Sequence, residues 1–275
     1  MLIAQITDLH IREEGVLCYR RVDTAPFLMR AVDTLNQILP RPDIVLLTGD
    51  LIDAFKIEEY RRLRGLLDRL RLPYALIPGN HDARAGMRAV FGDQPFPKTG
   101  FIQYTIEHLP LRLIGLDTLV EGEHRGQLCA QRLDWLEARL AEQPERPTVI
   151  FMHHPPFTTG ITPMDKYNLE GRERLAELVT RHANVERILC GHLHRSIQCR
   201  IGRSFATTCP ATAHQVALGL GEAGVWGFTM EPPGYQLHYW IEGQGLVTHT
   251  GNFGDYAGPY SFRDGSPIEL PRAAV

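Results

Sequence analysis

Along this chain, short uninterrupted apolar runs alternate with longer stretches whose apolar residues recur every three or four positions. The runs at 2–6, 44–47, 74–77, 149–151 and 185–190 are of strand length, the last centred on Ile188 and Leu189. Runs without a wet face predict strands buried on both sides, and helical stretches between them predict a layered α/β fold. Residues 24–39 read as a helix capped by Asp23 or Thr24 and stopped by Pro40. In 57–70, Tyr60, Leu63, Leu66, Leu67 and Leu70 keep helical spacing, and the arginines between them mark a solvated face. A hairpin from 101–107 and 111–116 and helices at 131–142 and 172–182 complete this part.

After residue 194 the pattern shortens to alternating runs at 196–201, 204–208, 224–230 and 236–241, divided by glycines and prolines. These predict strands completing a second sheet packed on the first. A core over 1–212 is expected, followed by a segment over 213–275 that projects and then returns to the core. Its projecting part, 215–223, contains Leu218-Gly219-Leu220 and reads as a cap or subunit contact. In the tail from 251 to 275, Tyr256, Tyr260 and Phe262 predict docking, since disordered tails are poor in aromatics.

The polar residues that follow the apolar runs carry the chemistry. They are Asp8-Leu9-His10, Gly49-Asp50, Gly79-Asn80-His81-Asp82, His153-His154 and Gly191-His192-Leu193-His194. In α/β folds ligands gather outside the carboxyl ends of the strands, so these loops are expected to meet at one place. Carboxylate, amide and imidazole donors suit a pair of divalent cations. Asp8, His10 and His194 can surround one cation, Asn80, His153 and His192 the other, and Asp50 has two oxygens with which to bridge them. Two cations about 3.5–4 Å apart would bring a shared water towards deprotonation near neutral pH, providing hydroxide for in-line attack on phosphorus. Taken singly, Asp8 or Asp50 reads equally well as a helix cap, and Asn80 as a turn residue.

These motifs, with Pro155-Pro156 after His154, resemble those of the calcineurin-like metallophosphoesterases, within them the class III cyclic nucleotide phosphodiesterase and bacterial glycerophosphodiesterase branch. Pro210-Ala211-Thr212-Ala213-His214-Gln215-Val216 and Tyr256-Ala257-Gly258-Pro259 extend the likeness over essentially the whole chain. The resemblance implies a four-layer αββα sandwich with a dinuclear site at the strand ends and a small C-terminal cap. It makes His81, with Asn80, a phosphate contact and His81 a proton donor to the leaving oxygen, capping or packing being the alternative for His81. It also places His214 in the substrate pocket and implies a homo-oligomer, dimer or hexamer, joined through the cap region. His154 reads either as a hydrogen-bond partner of a ligand or as a conformational residue before the proline pair. His108, His124, His182, His238 and His249 read as surface or packing residues.

At 275 residues and 44% hydrophobic, the chain can bury one large core. A net charge of -3 and a pI near 6.5 leave no basic stripe for long nucleic acid, and no apolar run reaches membrane-spanning length. Five cysteines without Cys-x-x-Cys spacing suggest free thiols in a reducing cytoplasm, and the opening strand is not a signal peptide. Two divalent ions are expected as cofactors, manganese, iron, cobalt and zinc being equally suited to these donors. The expected activity is hydrolysis of small phosphodiesters with broad tolerance, glycerophosphodiesters first and 3',5'-cyclic nucleotides second. Phosphomonoester hydrolysis, nuclease action and a metal-free scaffold rank below these.

Overall fold

A computed structural model describes residues 1–269 and 271. It opens with the wholly buried β1 (Leu2–Ile6). Through α1 (Ala25–Leu35) the chain reaches β2 (Ile44–Leu47), and through α2 (Ile57–Leu67) it reaches β3 (Tyr74–Leu76), followed by α3 (Arg84–Val90). Each crossover is helical, so β1, β2 and β3 run parallel. In α1, Leu28, Ala31, Val32 and Leu35 face the core, each leucine adding roughly 1.5–3 kcal/mol by leaving water.

The chain continues with β4 (Tyr104–Ile106), β5 (Arg112–Leu116), the short β6 (Gly126–Gln127), α4 (Ala130–Glu142) and β7 (Thr148–Met152). Then come the single turn α5 (Thr162–Asp165), β8 (Leu169–Glu170), α6 (Arg172–Arg181), β9 (Val185–Cys190), β10 (Ile197–Ile201) and β11 (Ser204–Thr208). A ribbon of β12 (Gln215–Val216) and β13 (Phe228–Thr229) precedes the hairpin β14 (Gly234–Ile241) and β15 (Gly245–Asn252). One sheet has the order β15-β14-β1-β2-β3 and the other β10-β11-β9-β7-β5-β4. Their inner faces share a single core, joined where the Gln5 amide donates to the Cys190 carbonyl (2.9 Å) and the Gln236 amide to that of Thr208 (3.1 Å). The fold is α/β, as expected.

Several elements differ from the sequence reading. Residues 236–241 do not complete the second sheet but pair with β1 in the first, and their partner β15 was not foreseen. As an edge strand of polar composition β15 buries little, Leu246 being its one buried side chain, so it lacks a strong apolar signal. Of 224–230 only Phe228–Thr229 forms a strand, because glycines 219, 221, 224 and 227 keep the preceding residues in a loop. Gln215 and Val216 are buried in the ribbon rather than part of a projection.

Helix α1 ends at Leu35 instead of continuing to 39. The Asn36 side chain donates to the Arg69 carbonyl (3.0 Å) and accepts from the Arg71 amide (2.8 Å), which turns the chain aside. Helix α2 stops at Leu67, where a turn bond from Leu70 N to Leu67 O (2.8 Å) still buries Leu70. The strand expected from 101 starts at Tyr104, since the Ile102 amide donates to the Asp117 carboxylate. Phe253 enters the core, whereas Tyr256, Tyr260 and Phe262, expected to dock, are exposed. Residues 270 and 272–275 of the tail lie outside the described residues.

Candidate dinuclear metal site

Asp8 and His10 leave β1, Asp50 leaves β2, Asn80 and His81 follow β3, His153 and His154 follow β7, and His192 and His194 follow β9. All stand at the carboxyl ends of parallel strands, where the sheets open. Backbone bonds between the loops keep them in register: Asp8 N donates to Gly49 O (3.1 Å) and His10 N to Asp50 O (3.0 Å). Thr24, one of the two residues expected to cap α1, stands at the cap position but donates its hydroxyl to His10 O (2.8 Å) instead of capping with its side chain.

The backbone is strained at these positions. Asp8 (φ 52°), His10 (45°), Asp50 (48°), His192 (70°) and His194 (53°) occupy the left-handed region. Such a residue costs roughly 1–3 kcal/mol and persists where surrounding structure enforces it, typically at functional sites. Close packing adds to this: a Cβ on Gly79 would lie 2.2 Å from the Asp50 amide nitrogen, and one on Gly49 would lie 2.6 Å from His153 Nδ1.

Hydrogen bonds assign the imidazole tautomers. His153 Nδ1 donates to Thr48 O (2.8 Å), His194 Nδ1 to His214 O (2.9 Å) and His10 Nδ1 to the Asp53 carboxylate (3.1 Å). Each Nε2 then carries a lone pair directed into the site. There, His10 Nε2 and His194 Nε2 face each other at 3.3 Å, His194 Nε2 faces Asp8 Oδ1 at 3.3 Å, and His153 Nε2 faces Asn80 Oδ1 at 3.2 Å and Asp50 Oδ2 at 3.3 Å. With the imidazoles neutral, acceptor meets acceptor in every one of these contacts, which a cation or a proton between them makes attractive. The His192 Nε2 atom is also buried without a partner among the described residues. Oxygen and imidazole donors at this spacing fit two divalent cations, and Asp8, His10 and Asp50 bring their ligand atoms within 4.8 Å of one another.

The titration of these groups reflects the same demand. Burial disfavours a charged imidazole, but Asp50 outweighs it and lifts His153 to about 9. His192 is held well below the ordinary histidine value by burial and by neighbouring His154 and His153, which keeps it a neutral donor. Burial would raise Asp50, yet the surrounding His153 and His81 pull it well below the usual carboxylate range.

His81 lines the cavity, its Nδ1 donating to Asp53 O (2.9 Å), so Nε2 is the atom left for a ligand. Burial opposes its charge, but Asp50 and Asp53 outweigh this and raise its pKa. Asp53 was not singled out from sequence, as no run or motif marks it. Its carboxylate accepts from His10 Nδ1 and, at 2.5 Å, from Arg12, while its carbonyl holds His81. Carboxylates that orient a ligating imidazole also set its basicity. Asp53→Asn should therefore weaken metal affinity by about 10- to 100-fold. Metal titration of the purified variant checks this, and wild-type affinity would make Asp53 a purely structural residue.

His154 touches no candidate ligand through a hydrogen bond. It accepts from the Thr118 hydroxyl (2.8 Å) and donates to His124 O (3.1 Å), with its ring against those of His153 and His192. Burial and then His153 depress it to about 3, so it packs as a neutral ring that positions the loop. His214 is buried at the cavity with both ring nitrogens unpartnered among the described residues, and burial and then His194 lower it to about 2. His124, exposed as expected of a surface residue, also lines the cavity, its Nδ1 lying 3.5 Å from the Asn80 amide nitrogen. The cavity measures about 460 Å³ and is also walled by Tyr19, Tyr167, Trp226 and Phe228, which no motif pointed to because they come from separate loops.

With this geometry in view, the chain belongs to the calcineurin-like phosphoesterases, whose family model matches residues 1–196. It is 39% identical over 264 residues to the probable glycerophosphodiester phosphodiesterase GpdQ of Arcobacter nitrofigilis, covering 95% of this chain and 97% of that one. A probable cyclic nucleotide phosphodiesterase of Rhodopseudomonas palustris is 35% identical over 269 residues, covering 96% and 97%. A dimetal phosphatase from Danio rerio shares the fold at 17% identity with a TM-score of 0.63, covering 92% of this chain and 99% of that one.

Proposed function

We propose that this protein hydrolyses small phosphodiesters, glycerophosphodiesters foremost, with a pair of divalent cations. The observation that carries the reading is the set of facing acceptors at the strand ends, where Nε2 atoms and carboxylate or amide oxygens meet at 3.2–3.3 Å. Asp8, His10 and His194 would hold one cation, Asn80, His153 and His192 the other, with Asp50 shared. Manganese, iron, cobalt and zinc all accept such donors. When bound, the pair polarises the phosphoryl oxygens and makes hydroxide available near neutral pH.

The chain's own groups then do the rest. Asn80 and His81 orient the phosphate. As hydroxide forms the new P–O bond, the opposite P–O ester bond breaks, and the departing alkoxide takes a proton from His81 Nε2. His81 is suited to this because Asp50 and Asp53 favour its protonated form against burial. Hydrolysis of 3',5'-cyclic nucleotides is the second reading, supported by the relative from Rhodopseudomonas palustris. Long nucleic acid fits neither the bounded cavity nor the net charge of -3. A panel of glycerophosphodiesters, cyclic nucleotides and phosphomonoesters on metal-reconstituted protein tests the reading. Monoesters hydrolysed faster than every diester would overturn it.

A homo-oligomer, dimer or hexamer, is part of this proposal. Leu218, Leu220 and Val225 are exposed by 62%, 60% and 57% on the loop between β12 and β13, a contiguous stretch suited to a subunit contact. Deleting 218–221 should reduce the assembly size in sedimentation and alter diester preference with both metals retained. An unchanged assembly and profile would make the loop a plain surface feature. A reducing cytoplasm is proposed on the five free cysteines, and no helix among the described residues is long and apolar enough to cross a membrane.

A further inference from the structure

We infer that Phe55 is a positioning residue for the reaction, holding the imidazole of His81 in the plane from which its Nε2 reaches the leaving oxygen. This rests on the phosphodiesterase reading above and deepens it. The Phe55 ring lies parallel to that of His81, at an interplanar angle of 6° and with centroids 6.4 Å apart. That separation is within the range of offset aromatic stacks. Among the described residues His81 is the one ring with which Phe55 pairs. The His10 ring also meets His81, at 75° and 4.8 Å. The Asp53 carbonyl fixes where His81 Nδ1 points (2.9 Å), but a single hydrogen bond leaves the ring free to tilt about it. Neighbouring rings remove that freedom. Phe55 does not itself line the cavity, so its effect on the reaction passes through His81.

The backbone supplies a second, independent observation. Phe55 stands in the left-handed region at φ 60°, where a bulky side chain is a rare outlier and glycine fits freely. It is also 48% exposed, so burial returns little against that strain. The surrounding loop enforces the conformation. Ile52 bridges to Ile11, the Asp53 carboxylate accepts from His10 and Arg12, and the Ala54 amide donates to the Glu59 carboxylate (2.8 Å). Helix α2 then begins two residues after Phe55. Strained residues persist where their surroundings enforce them, and they gather at functional sites. Here the same loop that binds His81 Nδ1 through Asp53 sets the Phe55 ring parallel to the imidazole.

The test uses metal-loaded full-length protein. Phe55→Gly adopts the backbone without strain and removes the ring, so kcat on a glycerophosphodiester should fall by about three- to tenfold, the reach of one ring pair, with two metals still bound. On a nitrophenyl ester, whose leaving group needs no proton, the loss should be smaller. Phe55→Asn, which also tolerates a left-handed backbone, should lose as much as the glycine variant, while Phe55→Tyr should retain most of the wild-type rate. An unchanged rate in Phe55→Gly, equal losses on the two esters, a loss confined to glycine, or a tyrosine variant as slow as glycine would each overturn the role of Phe55. Hydrolysis of no diester by the wild type would overturn the phosphodiesterase reading instead. In that event NMR relaxation of the zinc-loaded protein decides the matter. The order parameter of the His81 Cε1–H bond should fall in Phe55→Gly and recover in Phe55→Tyr, and an unchanged value refutes the inference.

Discussion

Asp50→Ala is expected to strip both cations from the protein and to abolish phosphodiester hydrolysis. Asp50 Oδ2 faces His153 Nε2 at 3.3 Å and His10 Nε2 at 3.7 Å, so one oxygen reaches imidazoles assigned to different cations. Its Oδ1 accepts the His81 amide at 2.8 Å and ties down the loop that carries Asn80. Alanine would remove a shared negative charge and loosen a neighbouring ligand at once. Polarisation of the phosphoryl group by bound cations contributes several kcal/mol, so the rate should fall by about 10³-fold or more. Elemental analysis together with the rate on a glycerophosphodiester provides the measurement. Two metals per chain in the variant would remove Asp50 from its bridging place.

His81→Ala should give the opposite pattern, with both metals kept and the rate lost. His81 is held through Nδ1 by the Asp53 carbonyl and lines the cavity without being one of the facing acceptors. If its Nε2 protonates the departing alkoxide, the loss should be about 10²- to 10⁴-fold on alkyl esters. A nitrophenolate leaves without needing that proton, so the loss on nitrophenyl esters should be smaller. Comparing both esters in wild type and variant separates the two roles. Equal losses would leave His81 as a phosphate contact alone.

Much of the site was legible in the sequence, because strand ends and metal donors leave local marks. The apolar runs located β1, β2, β3, β7 and β9, and the polar residues after them are those the fold brings together. Period and residue type are written locally, and the rule that ligands gather at carboxyl strand ends needs no coordinates. The course of β14 and β15 was less visible, since an edge hairpin with few buried side chains has little apolar pattern, and its choice of sheet depends on which edge is open.

Other features exist only once distant segments meet. Asp53 becomes important because β2's loop passes between His10 and His81, and no spacing in the chain encodes that meeting. His124 looked isolated in sequence, yet its loop folds over Asn80. The aromatic wall draws on residues as far apart as Tyr19 and Phe228. The sequence by itself determined which donors this protein has and at which strand ends they stand, because both follow from local composition and period. Tertiary structure decided the facing of lone pairs at 3.2–3.3 Å, the left-handed backbone of five candidate ligands and the shape of the cavity. Those depend on distances between loops, which packing of the two sheets sets and the order of residues does not record.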